Sequence, residues 1–495
     1  MGIRSFLAKP FAKSIISSRK KWLNNPLEAQ FDWLKWLLQY AKDTDFGKDH
    51  RFSEISNYQD FIQAVPLHDY EDLRPYIDRA VAGQSHVLWP DEPLYFAKTS
   101  GTTSGIKYIP ISKESVGYHI NGARDALLSY VHETGQSTFL DKKLIFLSGS
   151  PEMEQKNGIH IGRLSGIVNH HVPAYLRTNQ MPSYTTNCIE DWEAKLDKII
   201  DETIAQDMSL ISGIPPWVQM YFDKIEARTG KQIKDVFPNF SLFVYGGVNF
   251  EPYRAKLFNS IGKVIPSIET YPASEGFIAY QDSQNEEGLL LLLDAGIFYE
   301  FIPIEAYFMP QPPRLHIGQV QIGQQYALVM NTNAGLWGYS IGDTVKFVSL
   351  APHRIVVTGR IKHFISAFGE HVIGQEVEKA MQYAQSQQPQ SQVVEFTVAP
   401  QVSPPEGGLP YHQWLIEFSV PPQDLQRFAQ DLDQALAKLN VYYKDLIDGN
   451  ILQGLKIKPL AKDSFINFMK NQGKLGGQNK VPRLSNDRKM AEKLS

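Results

Sequence analysis

Short strands that stop at small residues, alternating with amphipathic helices, constrain this chain most. Lys143–Leu147 is a mostly apolar run ending in Ser148-Gly149, and Leu242–Tyr245 ends in Gly246-Gly247. Between them, Trp192–Ala205 repeats its apolar residues at helical spacing. Val264–Ile265 and Ile268–Tyr271 read as further short strands. Such alternation predicts an α/β layer structure with a partly parallel sheet. Upstream, Asn25 and Pro26 read as N-cap and first helical residue. The stripe Leu27, Phe31, Leu34, Leu38, Ala41 follows, and the helix is expected to end near Phe46-Gly47.

The pattern changes near residue 288. Leu289–Leu293, Phe298–Ile302, Val320–Ile322, Tyr326–Asn331, Val345–Leu350 and Arg354–Thr358 are consecutive strand candidates with mostly short links. They predict an antiparallel, barrel-like portion. A boundary is expected at Gly359-Arg360. Beyond it come a helix (Gly374–Ala384), strands Val393–Ala399 and Tyr411–Val420, a helix (Gln423–Leu439), a strand (Leu455–Lys458) and a helix (Ser464–Asn471). The 495 residues make about three domains, or one large and one small. The expected fold class is α/β: a large N-terminal domain, 1–359, with α/β sheets and a β-barrel portion. A small α+β C-terminal domain, 360–495, is joined to it by a hinge.

Charge is nearly balanced, with 49 basic and 53 acidic residues, so no global field points to nucleic acid. The single cysteine, Cys188, excludes disulfides within the chain and fits a reducing, cytoplasmic setting. Leu289–Leu293 is far too short to cross a bilayer. At the N-terminus, Ile3, Phe6, Leu7, Phe11, Ile15 and Ile16 fall at helical spacing among basic residues. That pattern suits a transit peptide or a membrane-surface helix, but a helix docked on the fold by its apolar stripe is favoured. Phe6 in place of Ser or Thr excludes a myristoylation signal.

Thr99–Pro110, TSGTTSGIKYIP, packs Ser, Thr and Gly ahead of Lys107 and an apolar strand. Its glycines permit the positive-φ turns with which backbone N–H groups surround an anion. The spacing of Gly101 and Gly105 does not match a Walker A loop. Tyr271-Pro272-Ala273-Ser274-Glu275 follows a strand, where ligands of open α/β sheets bind; Glu275 can hold Mg²⁺ or cap the next element. In Tyr339-Ser340-Ile341-Gly342-Asp343, Asp343 suits ribose hydroxyls or a hairpin turn. Arg360, in Gly359-Arg360-Ile361-Lys362, can bond ribose or phosphate, or be a solvated linker charge. Lys480, in Gly477-Gln478-Asn479-Lys480-Val481-Pro482-Arg483, is a mobile cation for a phosphoryl transition state or part of a basic tail. No G-x-S-x-G, H-E-x-x-H or G-x-G-x-x-G supports other chemistries. His160, His170, His171 and Cys188 lack zinc-site spacing.

In this order and spacing, the five features resemble the adenylate-forming, firefly luciferase-like superfamily. Within it the chain resembles the Gretchen-Hagen (auxin-responsive) family of acyl acid–amido synthetases. TSGTTSG looks like that family's SSGTSGG, YPASE like its YASSE-type motif, and YSIGD like its YRVGD-type motif. QNKVPR looks like its QYKxPR. Phe237–Tyr253 and Phe298–Pro303 also read as family-typical, and the resemblance runs from about residue 22 to the end. Thr103-Ser104 departs from the plant pattern. So does Gly369-Glu370-His371, which is nearer to generic adenylate-forming enzymes or bacterial members. The chain is also shorter than the plant enzymes; together these departures put a hormone substrate in doubt and leave the chemistry intact.

The resemblance implies an ATP-dependent ligase that adenylates a carboxylic acid, releases pyrophosphate and transfers the acyl group to an amine, most simply an amino acid. It implies Mg²⁺ at Glu275. Thr99, Ser100, Gly101, Thr102, Thr103 and Ser104, with Lys107, would hold the β- and γ-phosphates. Gly246, Gly247, Val248, Asn249, Tyr271 and Ser274 would line the nucleotide, and Asp343 would bind the ribose. Lys480 would stabilise the α-phosphoryl oxygens. The small domain would pivot at Arg360–Lys362, and His371 would face the nucleotide or the acceptor. A thioester ligase using coenzyme A or a protein thiol, and a non-catalytic nucleotide-binding protein, are the alternatives. Neither the acid, the amine nor the oligomeric state is legible.

Overall fold

The computed structural model describes residues 2–494, apart from 101–105, 173–176, 248–249, 362–363, 366–371, 449–451, 476–479 and 486. Two compact units form, one of Met1–Gly247 and Ser260–Val357, the other of Val248–Asn259 and Thr358–Ser495.

In the first unit, β1 (Tyr95–Ser100) and β2 (Ile106–Ile111) form a hairpin. Next come β3 (Lys143–Phe146), β4 (Glu154–Lys156), β5 (Ile159–Gly162) and β6 (Gln180–Met181). They are followed by β7 (Met208–Ser212), β8 (Leu242–Gly246), β9 (Ser267–Ala273) and β10 (Gly276–Tyr280). The last are β11 (Leu289–Leu291), β12 (Ile297–Pro303), β13 (Gln325–Thr332), β14 (Tyr339–Leu350) and β15 (His353–Arg360). One small sheet has the order β2-β1-β5-β4. The large sheet has eleven strands in the order β12-β13-β14-β15-β11-β10-β9-β8-β7-β3-β6. β6, β3, β7, β8 and β9 run parallel to their neighbours. β7 and β8 are mostly buried apolar runs, as strands covered on both faces require, whereas β6 and most of β9 are only partly buried.

At β10 the sheet turns antiparallel, and here the expectation of a barrel portion is corrected. Among the described residues no closed barrel forms; the antiparallel strands extend the same sheet. Its outer edge at β12 is covered by a bridge between Phe301 and Leu315, which protects unpaired backbone groups. Val320–Ile322 is not a strand; Ile322 makes only an isolated bridge to Phe347. Val264–Ile265 also lies outside β9.

The helix begun by Pro26 ends at Ala41, not near Gly47. Thr44 restarts the chain as a separate helix, Asp45–Asp49, by accepting the Gly47 N–H at 3.0 Å. A Cβ on Gly47 would lie 2.2 Å from the Ala41 carbonyl oxygen, so this turn needs glycine. Leu27, expected on the inner stripe, is 40% exposed. Buried Gln30 takes part instead: its amide donates to the Leu293 and Ile297 carbonyls and accepts the Tyr299 N–H.

Helix Ile3–Asn24 docks on helix Lys113–Thr134, but Ile3, Phe6, Leu7 and Phe11 of its apolar pattern stay exposed. Ser5, Ala8, Ala12, Arg19 and Trp22 are buried. Small side chains let the helices approach closely, and Arg19 donates to Ser129 and pairs with Asp125 at 3.4 Å.

The second unit contains β16 (Phe364–Ile365), β17 (Val372–Ile373), β18 (Gln392–Gln401), β19 (Tyr411–Val420) and β20 (Lys456–Leu460). The last three form a sheet in that order. Helices Gly374–Gln387 and Leu425–Leu439 supply Val377, Met381, Phe428 and Leu432 to a core around Trp414 and Phe396. Helices Val441–Asp448 and Lys489–Leu494 were not expected.

Candidate active site

The C-terminal ends of the parallel strands gather the small residues picked out in the sequence. β8 ends at Gly246, whose backbone partner is Thr270 of β9. A Cβ on Gly246 would lie 2.5 Å from the Thr270 carbonyl oxygen, so the chain can pass here only without a side chain. Ser274 and Glu275 form the two-residue turn between Ala273 and Gly276, which are paired. Ser274 is buried and Glu275 half-buried.

Tyr271 of β9 donates its hydroxyl to Asp343 Oδ2 at 2.6 Å. β9 and β14 lie four positions apart in the sheet, roughly 19 Å along a flat sheet. A tyrosine and an aspartate cannot span that distance, so the antiparallel arm curls back over the parallel part. The curl supplies what was legible as a barrel, and it brings two separate motifs to one point. Asp343 is half-buried, and a carboxylate has acceptor sites for more than one donor.

In the small sheet, Thr99 is the cross-strand partner of Lys107, and Ser100 that of Ile106. These pairs close the hairpin whose tip, with Gly101, Thr102, Thr103 and Ser104, lies outside the described residues. The Lys107 ammonium sits 5.2 Å from the centroid of the Tyr70 ring, a cation–π contact. The Tyr70 hydroxyl accepts the Tyr108 N–H at 2.9 Å. Nothing in the sequence singles out Tyr70.

Sequence reasoning also misses Lys195. It occupies an apolar position on helix Trp192–Thr203 and is only 2% exposed. Its ammonium donates to the carbonyls of Ser148 (2.9 Å) and Asn187 (2.6 Å), fixing the turn after β3. Burial pulls its pKa down to about 8. A lysine interrupting an apolar stripe was the available signal.

In the second unit, Arg360 ends β15 and Lys480 is exposed. Val248, Asn249 and His371 lie outside the described residues. Three residues after Lys480, Arg483 is held by Glu378 (3.1 Å), by Glu395, by the Tyr253 hydroxyl and by the Phe396 carbonyl. Thr397 donates to the Pro482 carbonyl at 2.7 Å, and Val398 bridges Leu484. The strap that carries Lys480 is thus sewn to β18.

Among the described residues no group of three or more His, Cys, Asp or Glu could hold a metal ion. A carboxylate such as that of Glu275 is an oxygen donor of the kind Mg²⁺ takes.

Three family models match the chain: the GH3 family N-terminal domain over residues 16–187, the central domain over 290–360 and the C-terminal domain over 375–489. The chain is 24% identical over 432 residues to indole-3-acetic acid-amido synthetase GH3.15 of Arabidopsis thaliana, covering 72% of this chain and 71% of that protein. It is 22% identical over 545 residues to jasmonoyl–L-amino acid synthetase GH3.5 of Oryza sativa subsp. japonica, covering 92% of each. Among solved structures, the GH3.15 acyl acid amido synthetase in complex with 2,4-DB has a TM-score of 0.81 at 16% identity. It covers 98% of this chain and 95% of that one. A 2-hydroxyisobutyryl-CoA ligase in the postadenylation state has a TM-score of 0.61 at 13% identity, covering 94% and 91%. The fold is thus that of the adenylate-forming ligases, and the chain belongs to the GH3 family.

Proposed function

We propose that this protein is an ATP-dependent, AMP-forming acyl acid–amido synthetase that joins a small carboxylic acid to an amine, most simply that of an amino acid. The observation that carries the reading is the Tyr271–Asp343 hydrogen bond, 2.6 Å long, between two motifs of one nucleotide site. Asp343, aimed by Tyr271, accepts from the ribose hydroxyls. The turn after β8 and the Tyr271 ring line the base. Thr99, the loop it leads into and Lys107 hold the β- and γ-phosphates. Glu275 would hold Mg²⁺, which when bound would neutralise charge on the phosphates.

The substrate carboxylate attacks the α-phosphorus, the bond to pyrophosphate breaks, and an acyl-AMP forms. Lys480 places its ammonium where charge grows on the α-phosphoryl oxygens. The amine nitrogen then attacks the acyl carbon, AMP leaves with the bonding pair, and the nitrogen loses its proton. Between the two steps the small domain, 360–495, pivots at Arg360–Lys362 and withdraws Lys480.

Membership of the GH3 family favours an amine over a thiol acceptor. Mass spectrometry of products from mixed acids, amino acids and coenzyme A tests this. AMP and pyrophosphate release that needs both an acid and an amino acid, with an amide product, is expected. A coenzyme A thioester as sole product, or no AMP with any acid, overturns it.

A further inference from the structure

Helix Ile3–Asn24 buries Ser5, Ala8, Ala12 and Trp22 and turns the large apolar residues of its first turns outward. Ile3 is 76% exposed, Phe6 67%, Leu7 56% and Phe11 44%. Their spacing places them side by side over the first turns. A contiguous apolar patch of this kind on a protein surface marks an interaction site.

Charge says what covers it. The helix holds six basic residues and no acidic one, in a chain whose net charge is −4. Arg19 is turned inward to Asp125. Lys9, Lys13 and Lys20 are exposed and, at spacings of four and seven, follow one flank of the apolar patch. Arg124 of the neighbouring helix sits 5.6 Å from the centroid of the Phe11 ring and adds a cation at its border. The nearby carboxylate of Asp141 is engaged by the Gly2 N–H and by Ser5. Aromatic and aliphatic side chains flanked by long basic ones match the boundary between headgroups and acyl chains of an anionic bilayer. A second copy fits less well, because a two-fold contact would set this basic flank against itself. No described helix is long and apolar enough to cross a membrane.

We propose that Ile3–Asn24 lays its outer face on an anionic lipid surface and holds the protein there reversibly. The full chain is sedimented with phosphatidylcholine vesicles, with and without phosphatidylglycerol. It pellets with the anionic vesicles only, and high salt releases it. Phe6→Ser/Leu7→Ser lowers the vesicle affinity by about tenfold or more. Lys9→Glu/Lys13→Glu lowers it by at least about fivefold per lysine. Both variants keep the melting temperature and the AMP release of the wild type in solution. Failure of the wild type to pellet, equal pelleting with neutral vesicles, or wild-type binding by both variants overturns the proposal. So does a dimer in sedimentation velocity that Phe6→Ser/Leu7→Ser dissolves, since the face then belongs to a second copy.

Discussion

Replacing Tyr271 by Phe removes one oxygen and asks whether Asp343 is aimed. The ring is 8% exposed and Phe keeps its packing. What is lost is a hydroxyl donating to a carboxylate at 2.6 Å. A hydrogen bond to a charged group contributes about 1.5–3 kcal/mol. Asp343 is only half-buried, and water replaces part of that contribution, leaving about 1 kcal/mol. The expected result is about a fivefold rise in KM for ATP. The assay is ATP–pyrophosphate exchange with an accepted acid, and kcat stays nearly constant because the hydroxyl touches no reacting atom. Asp343→Ala removes the ribose acceptor itself and raises KM by about tenfold or more. If Tyr271 acts through Asp343, the double variant is no worse than Asp343→Ala, a coupling of about 1 kcal/mol. An unchanged KM in Tyr271→Phe, or losses that simply add, refutes the reasoning.

Lys480→Ala is expected to slow pyrophosphate exchange by about 10²-fold; unchanged exchange removes Lys480 from the mechanism. Arg314 and Glu300, 6% and 0% exposed, form a buried pair to which Tyr58 and Asn331 also donate. Arg314→Met leaves that carboxylate unpaired and costs about 3–5 kcal/mol in urea unfolding; a loss under about 1 kcal/mol contradicts this. Burial pulls the His119 imidazole down to about 4. Above its unfolded pKa of about 6.5 both states are neutral there. Between about 6.5 and 4 only the unfolded chain takes up the proton, so stability falls by up to about 3 kcal/mol. His119→Leu flattens this acid slope, though His353, also lowered to about 4, leaves a remainder; equal slopes in both proteins rule the effect out.

Local signals are legible in this chain where an element is bounded by its own residues. Tyr411–Val420 and Ser464–Asn471 form with the expected limits, because Pro410 and Pro421 bound the first and Asp463 and Gln472 the second. What sequence spacing does not carry is the partner of each strand. β11 pairs with β15 across the intervening hairpins, so the antiparallel strands read as a separate barrel when they belong to one curled sheet. The same non-local curl joins Tyr271 to Asp343, each legible alone. Helix Ile3–Asn24 shows the opposite failure. Large apolar residues dominate its pattern, yet those of its first turns are exposed, while Ser5, Ala8, Ala12 and Trp22 are buried. Lys195 is marked in the sequence only as a lysine interrupting an apolar stripe, and the carbonyls it binds come from distant residues.

The clamp on Arg483 changes what kind of object Lys480 is. From Lys480 to Pro482, whose carbonyl is bound by Thr397, the chain extends at most about 7 Å. The amine therefore cannot search for its target as a loose tail would. The Lys480 backbone is held within that distance of a residue bound to β18. On the proposed mechanism, delivery and removal of the cation then become one mechanical coordinate, shared by the whole unit.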